Sequence, residues 1–315
     1  MRVAVLDDYQ RVALTSADWS AVTGIAEVDV FDDHEPDRER LVARLTPYDV
    51  VVLMRERTPF PREVIERVPA LRLIVTTGRA NASIDLEAAR ARGITVSGTE
   101  SLASAPAELT WALILGLARH LPTESDNLRS GRWQSTVGRG LAGRTLGVVG
   151  LGRIGSRVAT VGAAFGMEVV AWSRHLTPER AGVVGATAVG LDDLLRSSDV
   201  VTVHLPLKPE TRELLDADRI ARMKPTALLV NTSRAGLLDV DAAVHAVAEA
   251  RLGGLGLDVF DQEPLPADDP LRATVGVLTT PHLGYVADDV YALFFSQVVE
   301  DIVAFSVGEP VRVLG

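Results

Sequence analysis

Near the middle of the chain, Thr145-Leu-Gly-Val-Val-Gly150-Leu-Gly152-Arg153-Ile154-Gly155 passes from an apolar run through three glycines into a helical pattern. No other feature constrains the fold as much. Gly150 permits a sharp strand-to-helix turn, Gly152 removes a side chain where phosphates would approach, and Gly155 lets the helix pack close to the strand. The helix start then offers unpaired N–H groups to an anion. Glycine-rich loops are common, so context decides. Residues 145–149 read as a buried strand, 153–166 as a helix, and Glu168-Val-Val-Ala-Trp172 as the next strand. This order predicts a dinucleotide site, with Arg153 and Ile154 at the opening of its helix.

The rest of the chain repeats the alternation. Strand-like runs at 3–6, 27–31, 50–54, 71–76 and 95–97 are separated by amphipathic stretches such as 37–45 and 84–92. A longer helix is predicted from Ala105 to His120. Further strands follow at 146–149, 168–172, 200–204, 227–231, 254–259 and 277–280, and a last helix runs from 287 to 305. The pattern predicts an α/β protein of two doubly wound parallel sheets. A Rossmann dinucleotide-binding domain, 101–285, would be inserted into a flavodoxin-like substrate domain made of 1–100 and 286–315. The last helix would return to the first domain through hinges near 99–105 and 284–287, and a small substrate would meet the cofactor in the cleft.

Composition narrows the chemistry. A net charge of −10 across 315 residues offers no electrostatic footprint for nucleic acid or an anionic membrane surface. No run reaches the roughly 18 uninterrupted apolar residues of a membrane span. The opening MRVAVLDDYQ turns acidic too early for a secretion signal and reads as a first strand. The chain has no cysteine, which excludes disulfides, thiolate zinc sites and cysteine nucleophiles and fits the cytoplasm; no metal is expected. The two lysines, Lys208 and Lys224, follow no glycine-rich loop, so there is no P-loop.

Ligands of open parallel sheets bind beyond the carboxyl ends of the strands. Arg234 lies just past one predicted strand of the second sheet, Asp258 closes another, and His282 follows a third; Glu263 lies five residues beyond Asp258. Asn231-Thr232-Ser-Arg234, Gly256-Leu-Asp258-Val-Phe-Asp-Gln-Glu263-Pro and Thr280-Pro-His282-Leu-Gly284, beside the glycine motif, resemble the D-isomer-specific 2-hydroxyacid dehydrogenase family. The similarity extends to His204-Leu-Pro206-Leu and to Ile84-Asp-Leu-Glu-Ala-Ala. It implies catalytic roles for Arg234, Glu263 and His282 and a nicotinamide-carboxamide contact for Asp258. It also implies cofactor contacts from His204, Pro206, Thr232 and Gly284.

Those roles agree with the chemistry of reducing a 2-oxoacid. Arg234 can bind the substrate carboxylate and polarise the carbonyl through its fork of donors. His282 can supply the proton, with Glu263 as the anionic partner that keeps it loaded. Formate dehydrogenases of the same family carry glutamine at the Glu263 position, which argues against formate. The first domain should bind the carboxylate with the loop Thr76-Thr-Gly78-Arg79-Ala80-Asn81. The family usually has a second glycine where Ala80 stands and a small or apolar residue at Arg79. Arg55 matches an arginine that often faces the substrate.

Alternatives are a dinucleotide-sensing co-regulator on the same fold, which the Arg234, Glu263 and His282 set argues against, and phosphite oxidation by the same residues. At the end of the second strand, where NAD-specific enzymes place a carboxylate, stand Ser173 and Arg174. A hydroxyl and a guanidinium suit a 2′-phosphate, so the cofactor expectation is NADP over NAD. The helix 105–120 is apolar on more than one face, which predicts a homodimer with this helix at its interface.

Overall fold

Short, mostly apolar runs become the strands of two separate all-parallel sheets in the computed structural model, which describes residues 1–315. The chain divides into two units, Met1–Leu102 with Ala287–Gly315, and Ala103–Val286.

In the first unit, β1 (Arg2–Val5), β2 (Glu27–Val30), β3 (Val50–Leu53), β4 (Leu73–Thr76) and β5 (Thr95–Gly98) pair in the order β2-β1-β3-β4-β5. Every residue of β3 and β4 is buried, as for central strands covered on both faces. Asp37 and Asp85 cap the helices Arg38–Leu45 and Leu86–Ala91 by accepting from Arg40 N and Ala88 N. The last helix, Asp288–Ser306, packs on β4 and on the helix Ser20–Thr23. It buries Phe294, Phe295, Val298 and Ile302.

In the second unit, β6 (Thr145–Val149), β7 (Glu168–Trp172), β8 (Thr187–Ala188), β9 (Val200–Val203), β10 (Leu228–Asn231), β11 (Gly254–Leu257) and β12 (Val277–Thr279) pair in the order β12-β11-β10-β9-β6-β7-β8. The order reverses between β6 and β9, so the glycine motif after β6 opens at the switch point of the sheet.

Two elements escape sequence patterning. The two-residue edge strand β8 is too short to show a period. The long helix ends at Ala118, and His120 takes a left-handed φ of 52° to start a second helix, Leu121–Arg129. The interface expectation for the long helix needs correction. Ser104–Ala118 packs against the helix Arg153–Ala164 and against β10, β11 and β12, so its several apolar faces are covered within its own unit. Trp111, Leu113 and Ile114 are buried there, while Glu108 and Ala112 face out.

Candidate active site

The glycine motif has the shape of an anion cradle. Gly150 sits at φ 106°, and a Cβ there would lie 2.7 Å from the carbonyl carbon and oxygen of His204. A Cβ on Gly155 would meet the Gly150 carbonyl oxygen at 2.1 Å, so this glycine alone allows the helix Arg153–Ala164 to start so close to its own turn. A Cβ on Gly152 meets nothing within 4 Å. Gly152 is also the N-cap and supplies no side-chain cap, so open space lies in front of uncapped first-turn N–H groups. Arg153 is exposed at the first helical position, and Ile154 packs partly into the core. The loop is pinned to the end of β7 by Gly150 N donating to Trp172 O at 2.7 Å and Leu151 N donating to Ser173 Oγ at 2.8 Å.

Strand register then lays out a row beyond the sheet. Val203 pairs with both Val149 and Asn231, Asn231 with Leu257, and Leu257 with Thr279. One residue further along each strand come Gly150, His204, Thr232, Asp258 and Thr280. The ladder carries on through His204 N to Val149 O, Asp258 N to Asn231 O and Thr280 N to Leu257 O. Thr232 Oγ1 meets Thr110 Oγ1 of the long helix at 2.8 Å. His204 keeps a neutral imidazole, its pKa pushed down to about 4 by burial, and its Nε2 has no hydrogen-bond partner. An enclosed, unpartnered nitrogen beside the glycine turn is a feature that a polar cofactor would satisfy. Pro206 follows on the exposed side of this segment, and the Leu205 carbonyl accepts from Ser233 Oγ at 2.5 Å.

Asp258 is fully buried and accepts three hydrogen bonds. Thr280 Oγ1 and Leu283 N donate to Oδ1, both at 2.7 Å, and Gly284 N donates to Oδ2 at 2.9 Å. Burial pushes its carboxyl above the usual range while these donors pull the other way. The loop it fastens carries His282 at a left-handed φ of 52°. His282 Nδ1 lies 2.6 Å from Glu263 Oε2, and Glu263 Oε1 accepts from Phe260 N at 2.9 Å. Both glutamate oxygens are therefore engaged, and Nε2 is the ring nitrogen turned away from them. Tyr285 meets the His282 ring edge-on, 5.3 Å between centroids.

Arg234 stands on the loop after β10. Asn231 shapes that loop: its Oδ1 accepts from Ser233 N at 3.0 Å and its Nδ2 donates to Arg234 O at 2.9 Å. The guanidinium donates to Ser233 O at 2.7 Å.

In the first unit, Arg55 N donates to Thr77 Oγ1 at 2.9 Å and Arg55 Nη1 to Thr77 O at 3.2 Å. Asn81 Nδ2 donates to Arg55 O at 2.6 Å and Thr76 Oγ1 at 2.9 Å, which ties the loops after β3 and β4 together. Gly78, at φ 106°, turns the β4 loop, and the backbone N–H groups of Arg79 and Ala80 have no acceptor within the chain. Arg79 and Ala80 are exposed, and the Arg79 side chain pairs with Glu100.

Residues 111–284 match the model of the D-isomer specific 2-hydroxyacid dehydrogenase NAD binding domain. The chain is also 36% identical over 295 residues to a glyoxylate reductase of Aeropyrum pernix, covering 90% of this chain and 88% of that protein. The chain belongs to the D-isomer-specific 2-hydroxyacid dehydrogenase family.

Within this family, a D-3-phosphoglycerate dehydrogenase of Synechocystis sp. is 36% identical over 293 residues, covering 92% of this chain; the chain spans 50% of that relative's length. Among solved structures, a putative D-3-phosphoglycerate dehydrogenase from Ralstonia solanacearum superposes with a TM-score of 0.93 at 38% identity, covering 99% of this chain and 96% of that one. D-lactate dehydrogenase from Aquifex aeolicus, complexed with NAD and lactic acid, gives a TM-score of 0.80 at 27% identity, covering 98% and 96%.

Several polar partners at this family site gave no signal in isolation. Thr110, Thr280 and Glu210 act on residues far away in sequence, and Glu210 lies 3.6 Å from Arg174. The Asn81-Ala-Ser83 and Asn231-Thr-Ser233 patterns were readable as side-chain turns. No group of three or more His, Cys, Asp or Glu side chains gathers as a metal site, and no helix is long and apolar enough to cross a membrane.

Proposed function

We propose that this chain is an NAD(P)-dependent reductase of small 2-oxoacids, and in reverse a D-2-hydroxyacid dehydrogenase. The observation that carries the reading is the His282–Glu263 pair, 2.6 Å apart on a loop that Asp258 pins to the carboxyl edge of the sheet. A nicotinamide dinucleotide bound there supplies the hydride or receives it. Gly150, Gly152, Arg153, Ile154 and Gly155 hold its pyrophosphate, and His204, Pro206, Thr232, Asp258 and Gly284 line its nicotinamide end. Arg234 binds the substrate carboxylate and draws electron density from the carbonyl as the alkoxide forms. His282 delivers the proton from Nε2 to that oxygen, while Glu263 fixes the ring and balances its charge. The backbone N–H groups of Arg79 and Ala80, with Arg55, are the first unit's own candidate donors to a carboxylate.

His282→Ala should lower kcat by about 10²–10⁴-fold with little change in cofactor affinity. Near-wild-type kcat would sink the acid/base assignment. Turnover is to be measured with glyoxylate, hydroxypyruvate, longer 2-oxoacids and phosphite; oxidation of phosphite alone would redirect the reading.

NADP is the preferred cofactor in this reading. The end of β7 carries no carboxylate to repel a 2′-phosphate, Ser173 keeps its hydroxyl proton while accepting from Leu151 N, and the Arg174 side chain is 56% exposed. Glu210 is a half-exposed partner that a phosphate would have to displace. Arg174→Ala should weaken NADPH selectively, and equal losses with both cofactors would refute the phosphate role.

The chain works in the cytoplasm as a homodimer in this reading, with a different contact from the buried helix. Exposed Leu121 and Leu128 on the second helix, with Trp133 and Val137 on the loop after it, form the apolar surface that a second copy would cover. Sedimentation of a 33.7 kDa species at micromolar concentration would count against the dimer.

A further inference from the structure

We propose that Asp7 and His34 form a pH-operated clasp on the loops at the carboxyl end of β1, β2 and β3, tight while the imidazole is protonated and eased once it is neutral. The clasp lies wholly within the first unit and stands apart from the 2-oxoacid reading above.

Asp7 is the hub. The sheet ladder runs on past the paired residues, with Leu6 N donating to Val52 O at 3.0 Å, Phe31 N to Val5 O at 2.8 Å and Asp8 N to Phe31 O at 2.9 Å, so three loops leave it side by side. Asp7 turns there into a left-handed φ of 57°, which a residue other than glycine keeps only where its surroundings fix it. Its side chain is 1% exposed, and its carboxylate touches all three loops. Thr58 Oγ1, after β3, donates to Oδ2 at 2.7 Å. His34 Nδ1, after β2, lies 3.0 Å from Oδ1, and the Tyr9 hydroxyl, after β1, donates to that same oxygen at 3.3 Å. The Asp7 carbonyl adds a fourth tie by accepting from Arg57 Nη1 at 2.6 Å.

The charges around the pair leave His34 as the switch. Arg57 keeps its charge throughout, with its guanidinium 4.4 Å from the centre of the Tyr9 ring. The Asp8 carboxylate is taken up by Val12 N and Ala13 N. Tyr291, from the last helix, faces Arg57 and Asp8, and burial pushes its phenol above the usual range. On the β2 side Asp33 and Glu35 flank the imidazole, and Arg44 of the helix Arg38–Leu45 answers them at 2.6 Å and 3.9 Å. Only His34 changes charge near neutrality, and its side chain is 16% exposed, enough for solvent to exchange its proton. The hydrogen bond to Asp7 raises its pKa above 6.5; burial opposes this, and the charges of Asp7, Glu35 and Asp33 add to it. A histidine raised in the folded state gives stability that is fully present below 6.5 and is lost as pH rises through the folded value. The neutral ring still donates from Nδ1, so the contact persists at roughly half its strength and the loops ease without parting.

The test joins two measurements on the whole chain. Proton NMR titration of the His34 ring, assigned by its disappearance in His34→Asn, should give a midpoint above 6.5 that falls in Asp7→Asn. Asparagine tolerates a left-handed turn, so Asp7→Asn removes the charge and keeps the backbone. Amide hydrogen exchange between about pH 5 and pH 8, corrected for its intrinsic pH dependence, reads the loops themselves. Residues 7–13, 31–36 and 55–58 should lose protection relative to β4 as pH rises, by about ten-fold for each unit that the midpoint lies above 6.5. In His34→Asn, which keeps a donor where Nδ1 stood but cannot titrate, that loss should vanish. A wild-type midpoint at or below 6.5 overturns the clasp, and so does an equal loss of protection in His34→Asn. If Asp7→Asn fails to fold, the wild-type titration and His34→Asn still decide the outcome.

Discussion

Gly155→Ala and Gly152→Ala should separate the two demands that a dinucleotide turn makes on its backbone. At Gly155 the new methyl would sit 2.1 Å from the Gly150 carbonyl oxygen and 3.1 Å from Val148 Cγ1. Carbon–oxygen contacts settle at about 3.3–3.6 Å, so the start of the helix Arg153–Ala164 must retreat by roughly 1 Å. Neither obstacle is a flexible chain end: one is backbone in a tight turn, the other a core valine in β6. Overpacking of this kind costs about 1–3 kcal/mol. For a unit of this size each kcal/mol lowers Tm by about 2–4 °C, giving a drop of about 2–12 °C. The same shift moves the helix N-terminus off its anion, and a 1 Å displacement can cost on the order of 10²-fold in turnover. At Gly152 the methyl meets nothing within 4 Å and φ is −94°, so the ligand-free protein should melt as wild type does. That methyl would nonetheless fill the space the phosphates need, and cofactor affinity should fall. Thermal unfolding of the ligand-free variants, paired with fluorescence titration of NADPH and NADH, reads both effects. Wild-type affinity in Gly152→Ala would show that the pyrophosphate does not pass there. An unchanged Tm in Gly155→Ala would refute the steric argument.

Asp258→Asn should lower stability by about 1–3 kcal/mol, because whichever way the amide turns, at least one of its three donors faces an N–H instead of an oxygen. Its kcat should fall as the His282 loop loosens; a variant with wild-type Tm and kcat would show that the clamp is dispensable. Asp301 is fully buried, its Oδ2 has no hydrogen-bond partner, and burial raises its pKa to about 7 against Arg312, which donates to Oδ1. A carboxyl raised in the folded state stabilises fully below its unfolded value of 3.8, and that contribution is lost as pH rises through about 7. Asp301→Asn should therefore match wild type near pH 4 and be the more stable at pH 8; parallel stability curves would rule this out.

What was legible in the sequence was whatever its own neighbourhood determines. The strands β3 and β4 announce themselves because every position but Thr76 is apolar, and the glycine turn because its steric needs lie within a few residues. The edge strand β8 exists only through its pairing with β7, Val170 to Thr187 and Ala171 to Ala188, and two residues carry no period. The helix Ser104–Ala118 shows the same limit from the other side. Apolar residues all round a helix say that it is covered, but not by what, and here the sheet and a neighbouring helix of the same unit do the covering.

Asp258 is the most instructive case. Resemblance marks it as a cofactor contact, yet its three donors come from 22, 25 and 26 residues further on, a relation that no local pattern encodes. Those bonds change what the residue is for. Oδ1 is filled by two donors and Oδ2 by one, which leaves Oδ2 with a single lone pair for a cofactor amide. The carboxylate that would orient the nicotinamide is then the one that holds the His282 loop in its left-handed turn. Cofactor placement and proton delivery would share one buried anchor, so Asp258→Asn should impair both together. Glu263→Gln, which touches only the histidine side, should lower kcat and leave cofactor affinity unchanged, and parallel losses in the two variants would refute the shared anchor.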